Sequence, residues 1–284
     1  MMSRRFHLIA YAGLMLGLAW PAASWAQTAS KPLRLGVLPN ISARILLTHY
    51  QPMREYLSEQ LKREVVIETS TNFKTFAQST SRGEYDLIVT APNLGLVAKV
   101  DQGWKPLASY EPKIPALLVA LKQNPNDDVK QLQGKKLALS NPQSLVALVG
   151  LKWLSEQGLT QDKDYKVTLA ANDESLGVLL NGGEAPMAMM SMGEYKAKSE
   201  AMRATLRIVK VMKELPGFMV MSNPKMPAQE SAQLQAAMRA FPQTTLGKRY
   251  FELSGFKNIG PVDEDGMAFL SSFVDQTRAG LDLK

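Results

Sequence analysis

The chain of 284 residues carries a formal charge of +7, is 45% hydrophobic and contains no cysteine. Without thiols there are no disulfides, cysteine nucleophiles or thiolate metal sites, so stability has to come from a packed core. The basic excess favours steering of anions, but its charges are scattered and not gathered into the stripe that nucleic-acid binding requires, so no nucleic acid partner is expected.

Residues 1–26 read as an export signal. Arg4 and Arg5 form the positive end, an apolar run extends from Leu8 to Trp20, Pro21 breaks it, and Ser24-Trp25-Ala26 supplies small residues at the cut. The run is shorter than the roughly 20 residues of a spanning helix, and a lipoprotein would need a cysteine at the cleavage point. The mature chain is therefore expected to be residues 27–284, soluble and periplasmic. Its charge falls from +7 to +5, because Arg4 and Arg5 leave with the signal and no acidic residue does.

From Lys31 onward, short apolar runs alternate with amphipathic stretches, the rhythm of an α/β fold with largely parallel strands. Residues 33–38 form a first strand, stopped by Pro39-Asn40, and 46–62 follow with Leu46, Leu47, Tyr50, Met53, Tyr56, Leu57 and Leu61 at helical spacing, where Pro52 kinks or restarts the helix. A strand at 65–68, a helix at 72–81 and a strand at 85–90 complete a β-α-β-α-β unit. After a crossover at 112–115, strands are expected at 116–121, 135–140, 165–169, 188–191 and 206–211. A helix covers 143–157, ended by Gly158, and others start near Ser175 and Gly193. Residues 218–222 read as a strand returning beside 116–121, and the pattern beyond Met226 is helical, at 228–240 and 247–253. Two such lobes joined by crossings bury a cleft between them, where ligands bind in folds of this kind.

At this point the order of short motifs resembles a known family. Leu35-Gly36-Val37-Leu38-Pro39, Tyr50-Gln51-Pro52-Met53 and Gly83-Glu84-Tyr85-Asp86-Leu87 are followed by Leu132-Gln133-Gly134-Lys135-Lys136-Leu137-Ala138 and Asn141-Pro142-Gln143-Ser144. Thr245-Leu246-Gly247-Lys248 and Gly255-Phe256 come late in the chain. The series is similar to the phosphonate-binding (PhnD-like) periplasmic substrate-binding proteins of ABC transporters. The resemblance implies a two-lobed class II periplasmic binding protein fold that closes on a small solute and hands it to a membrane permease, as a monomer and without cofactors. It divides the chain into lobe 1 (residues 27–113 plus 225–284) and lobe 2 (114–224). The chain departs from the family pattern at three places. Thr90-Ala91-Pro92 stands where the family places an aromatic residue; Ser144-Leu145-Val146-Ala147 stands for its Ser-Thr-Ser-Gly cradle; and Asp173 aligns with a histidine of some members. Lost hydroxyl donors and an added carboxylate both disfavour a phosphonate dianion.

The candidate ligand contacts are Asn40, Arg44, Thr90, Ala91, Asn93, Ser140, Asn141, Ser144, Asp173 and Ser191. Asn40 and Arg44 follow the first strand, with Arg44 suited to a carboxylate or sulfonate. Asn93, Asn141, Ser144 and Asp173 can equally act as helix caps. Met187, Met189, Met190 and Met192 raise a copper-carrier alternative through thioether ligands, against plain core packing. His49 stands alone and reads as structural or exposed. A second alternative is a sensing module that engages a membrane receptor. No Gly-x-Ser-x-Gly elbow occurs, and the expectation is a protein that is not an enzyme.

Overall fold

The computed structural model describes residues 31–170 and 173–283, apart from the side chains of residues 173, 174 and 197. The expected export signal lies outside the described residues. The chain opens with β1 (Leu33–Val37), α1 (Ala43–Leu61), β2 (Val65–Glu68), α2 (Phe73–Ser81), β3 (Leu87–Thr90), α3 (Pro92–Gln102) and β4 (Lys105–Glu111). It crosses to β5 (Ile114–Leu121), β6 (Lys136–Leu139), α4 (Leu145–Glu156), β7 (Lys166–Leu169), α5 (Asp173–Asn181), β8 (Met187–Ser191), α6 (Met192–Ala197), α7 (Glu200–Thr205) and β9 (Leu206–Leu215). It then returns through β10 (Met219–Ser222), α8 (Ala228–Ala240), α9 (Thr245–Ser254), β11 (Asn258–Gly260), α10 (Glu264–Leu270) and α11 (Val274–Leu281).

Local sequence accounts for the first elements. In α1 the buried residues Leu46, Tyr50, Met53 and Leu57 recur at helical spacing. Pro52 lies inside the helix, which runs on without restarting. In α2, Asn72 caps the first turn by accepting the Thr75 N–H at 2.8 Å.

Two sheets result, a six-stranded one in the order β11-β4-β10-β3-β1-β2 and a five-stranded one in the order β7-β6-β8-β5-β9. Strands β1, β2 and β3 are parallel, as are β6, β7 and β8, so each sheet has a carboxyl edge from which turns lead into helices. The expected strand at 218–222 exists, but it does not lie beside β5. As β10 it pairs antiparallel with β3 and β4 in the first sheet, and β9 takes the place beside β5. A buried run of Met and Val specifies a strand but not its neighbours. β4 was not expected from the sequence, since its Lys-Pro start and Ala-Ser centre lack the β-branched residues of a typical strand. Its Pro106 falls where the β10 register shifts, between Val220 and Met221, and a bulge tolerates the missing N–H.

The core lies in three layers. One packs α1, α8 and α9 on the first sheet and includes Leu57, Leu234 and Tyr250. Another packs α5, α6 and α7 on the second sheet, with Leu176 and Met190. The third is continuous between the two halves, joining Leu94 of α3 and Leu148 of α4 to Met267, Leu270 and Phe273 of the C-terminal segment. The methionine cluster is divided by this arrangement. Alternation along β8 sends Met187 and Met189 into the layer shared by both halves and Met190 into the opposite one. Met192 packs against that opposite layer from α6. The thioethers therefore serve the core and do not converge as copper ligands.

Candidate functional site

The carboxyl edges of the two sheets meet at the turns that follow β3 and β6. Asn93, the second residue of α3, donates its Nδ2 to the Gln143 carbonyl at 3.3 Å and to Thr277 Oγ1 of α11 at 3.4 Å. It does not cap its helix. The N-cap position is Ala91, which has no capping side chain, and this frees Asn93 to reach across. Asn93 is only 2% exposed, and its Oδ1 has no partner.

On the second sheet the polar side chains are engaged with one another. Asn141 Oδ1 accepts the Gln143 N–H at 2.8 Å, tightening the turn. Ser144 is the N-cap of α4, its Oγ accepting the Ala147 N–H at 3.2 Å. Ser140 donates its hydroxyl to Glu194 Oε1 at 2.7 Å. Glu194 Oε2 accepts the Ser191 N–H at 2.6 Å, while Ser191 Oγ accepts the Glu194 N–H at 3.0 Å, a capping box at the start of α6. One carboxylate thus binds together the ends of the adjacent parallel strands β6 and β8.

Of the remaining candidates, Thr90 and Ala91 lie where β3 ends and the turn after it begins, and Asn40 and Arg44 lie on the surface. Thr90 ends β3 with an unpartnered Oγ1 and lines a small cavity behind α3, walled by Phe76, Thr80, Leu94, Leu281 and Leu283. Ala91 is buried beside it. Asn40 and Arg44 are exposed, and neither bonds to the junction residues among the described residues. Asp173 begins α5, and its side chain lies outside the described residues. His49 is half-buried on α1, where burial lowers its pKa.

Sequence reasoning missed Glu194, Gln143 and Thr277. For Glu194 a signal was present, since Ser191-Met192-Gly193-Glu194 is the spacing of a capping box. Nothing local points from Glu194 to Ser140, or from Asn93 to Thr277. Among the described residues, no group of three or more His, Asp or Glu side chains is placed to hold a metal ion.

Two mixed sheets whose carboxyl edges face each other through polar turns define the class II periplasmic binding protein fold. Solved structures of other proteins share it, three among them as follows. PhnD1 from Prochlorococcus marinus, in complex with methylphosphonate, aligns with a TM-score of 0.75 at 13% identity, covering 89% of this chain and 99% of that one. XAC2383 from Xanthomonas citri, bound to ATP, aligns with a TM-score of 0.75 at 16% identity over 88% and 99%. The periplasmic aliphatic sulphonate binding protein SsuA from Escherichia coli aligns with a TM-score of 0.63 at 14% identity over 89% and 94%.

The family model for the ABC transporter, phosphonate, periplasmic substrate-binding protein matches residues 35–267, and the chain belongs to that family. It is a periplasmic substrate-binding protein of an ABC uptake system. Members of this family bind small solutes and deliver them to a membrane permease. Among the described residues no helix is long and apolar enough to cross a membrane.

Proposed function

We propose that the chain is exported through a cleaved signal at residues 1–26 and acts as a monomeric, non-enzymatic carrier of a small polar or anionic solute. The solute binds where the turn at Thr90, Ala91 and Asn93 faces Ser140, Asn141, Ser144 and Ser191. Lobe 1 takes residues 27–113 and the chain after the return crossing, and lobe 2 the residues between. We take that return at 216–218 and not at 224, because β10 pairs within the first sheet. Closure of the lobes is the mechanical response to the solute.

The observation that carries this reading is the Asn93–Gln143 bond, which brings the helix-leading turns of the two sheets within hydrogen-bond distance. Two of the structural relatives, one in complex with methylphosphonate and one an aliphatic sulphonate binding protein, point to chemistry to test. Isothermal titration of the mature protein with phosphonates, sulfonates, carboxylates, amino acids and amines tests the proposal. Saturable one-to-one binding of a member, weakened by Ser144→Leu in a protein that still melts cooperatively, is the expected result. Hydrolysis of a solute, or binding unaffected by substitution at Asn93, Ser140 and Ser144 together, would refute it.

A further inference from the structure

The hydrogen bonds at the junction leave a particular polarity free for the solute. A carboxylate only accepts hydrogen bonds, so the 2.7 Å contact commits the Ser140 proton to Glu194 and leaves the serine oxygen with lone pairs alone. The Glu194 carboxylate is held by the Ser191 N–H on Oε2, and the reciprocal bond from the Glu194 backbone N–H to Ser191 Oγ fixes the turn that carries it, so the capping box keeps Oε1 turned toward Ser140. Asn93 points the same way independently. The Gln143 carbonyl can only accept, so it must face Nδ2, and Oδ1 is left as an unpartnered, buried acceptor. Two acceptor atoms and a negative charge thus stand at the meeting carboxyl edges. On the other side of the β6–α4 turn, Asn141 and Ser144 spend their acceptor oxygens on backbone N–H groups and keep their own protons to donate.

We infer that the site selects a solute bearing an N–H donating head group, an ammonium or its equivalent, over a fully deprotonated tetrahedral oxyanion, and that Glu194 sets this polarity. The inference rests on the junction being the solute site. A tetrahedral dianion offers acceptors only, so it would leave Asn93 Oδ1 buried without a donor and stand near a like charge. An ammonium group supplies the kind of donor that Oδ1 and the Ser140 oxygen accept, and is drawn by the carboxylate. Glu194 is a positioning residue in this scheme, acting through the Ser140 hydroxyl.

The test is titration of the full mature chain with matched pairs, 2-aminoethanesulfonate against propanesulfonate and β-alanine against butyrate, with methylphosphonate alongside. In the wild type the amino-bearing member of a pair binds at least roughly tenfold more tightly than its isostere. Glu194→Gln removes the charge and frees the Ser140 proton, so it narrows that ratio and strengthens methylphosphonate binding. Ser140→Ala, which leaves the capping box intact, also narrows the ratio and keeps the test open should Glu194→Gln fail to fold. Binding with no preference for the amino-bearing member, or a preference unchanged in both variants, overturns the inference and leaves the carrier function standing. Binding of no probe to any of the three proteins overturns both.

Discussion

Replacing Gly217 by alanine probes the return crossing, where the chain passes close under β4 on its way from β9 to β10. A Cβ at Gly217 would lie 2.0 Å from the Tyr110 carbonyl oxygen and 2.8 Å from its carbon. Both atoms are backbone, so no rotamer change relieves the contact, and the crossing would have to shift by about 1 Å or more to reach ordinary packing distance. The same shift strains the Tyr110 N–H bond to the Phe218 carbonyl, now 2.7 Å. Overpacking at the upper end of its usual range together with a weakened hydrogen bond gives a loss of about 3 kcal/mol. For a domain of this size that lowers Tm by about 6–12 °C, read by circular dichroism melts and by urea unfolding at constant m-value. Gly255→Ala is the control, with φ of 76° and nothing within 4 Å of the added carbon. It costs about 1 kcal/mol through backbone conformation alone. A Gly217→Ala protein that melts with the wild type, or above the control, would refute the steric account of the crossing.

Tyr50, Tyr110 and Tyr250 form a buried cluster in the first half, with Tyr250 Oη donating to Tyr110 Oη at 2.9 Å. Tyr250→Phe is expected to cost about 1–2 kcal/mol in urea unfolding, because the Tyr110 hydroxyl loses its buried donor, while solute titrations stay unchanged. Burial pushes Tyr110 and Tyr250 well above the ordinary phenol range and raises Tyr50. Tyr165 is raised to about 12, first by burial and then by Asp162 and Asp164. The folded state therefore holds protons that the unfolded chain releases. Their contribution to stability is complete below about pH 10 and is lost as pH rises through the folded values. Ultraviolet titration should show these phenols ionising only together with unfolding. Ser144→Ala removes the α4 cap and should lower stability by about 1 kcal/mol, measured by thermal melts. Its effect on solute affinity in calorimetry separates capping alone from ligand contact.

Much of the chain's organisation was legible from local pattern. The helical spacing of Leu46, Tyr50 and Met53, the helix expected at 72–81 and the β2 run at 65–68 depend on neighbours a few residues away. The Lys-Pro start of β4 hid a strand because its stability comes from β10 and β11 on either side and not from its own residues. The methionines from Met187 to Met192 looked like one cluster in the sequence, and only the pleat of β8 separates them. At the site, the candidates Asn93, Ser140, Asn141, Ser144 and Ser191 could be chosen from the sequence because strand-to-helix turns carry such residues. Whether each one caps, bridges or stays free was not legible.

Most of the order of α and β elements, β4 and β11 apart, and the family to which the chain belongs are determined by the sequence alone, since both are written in short-range periodicity and in motifs read in series. The assignment of β10 to the first sheet, the reach of Asn93 and the loss of the Ser140 proton to Glu194 were decided only by tertiary structure. The physical reason is the distance along the chain over which polar groups find their partners. Asn93 and Gln143 are 50 residues apart and Ser140 and Glu194 are 54. Which donors and acceptors remain for a solute depends on these long-range bonds, and composition and spacing do not encode them.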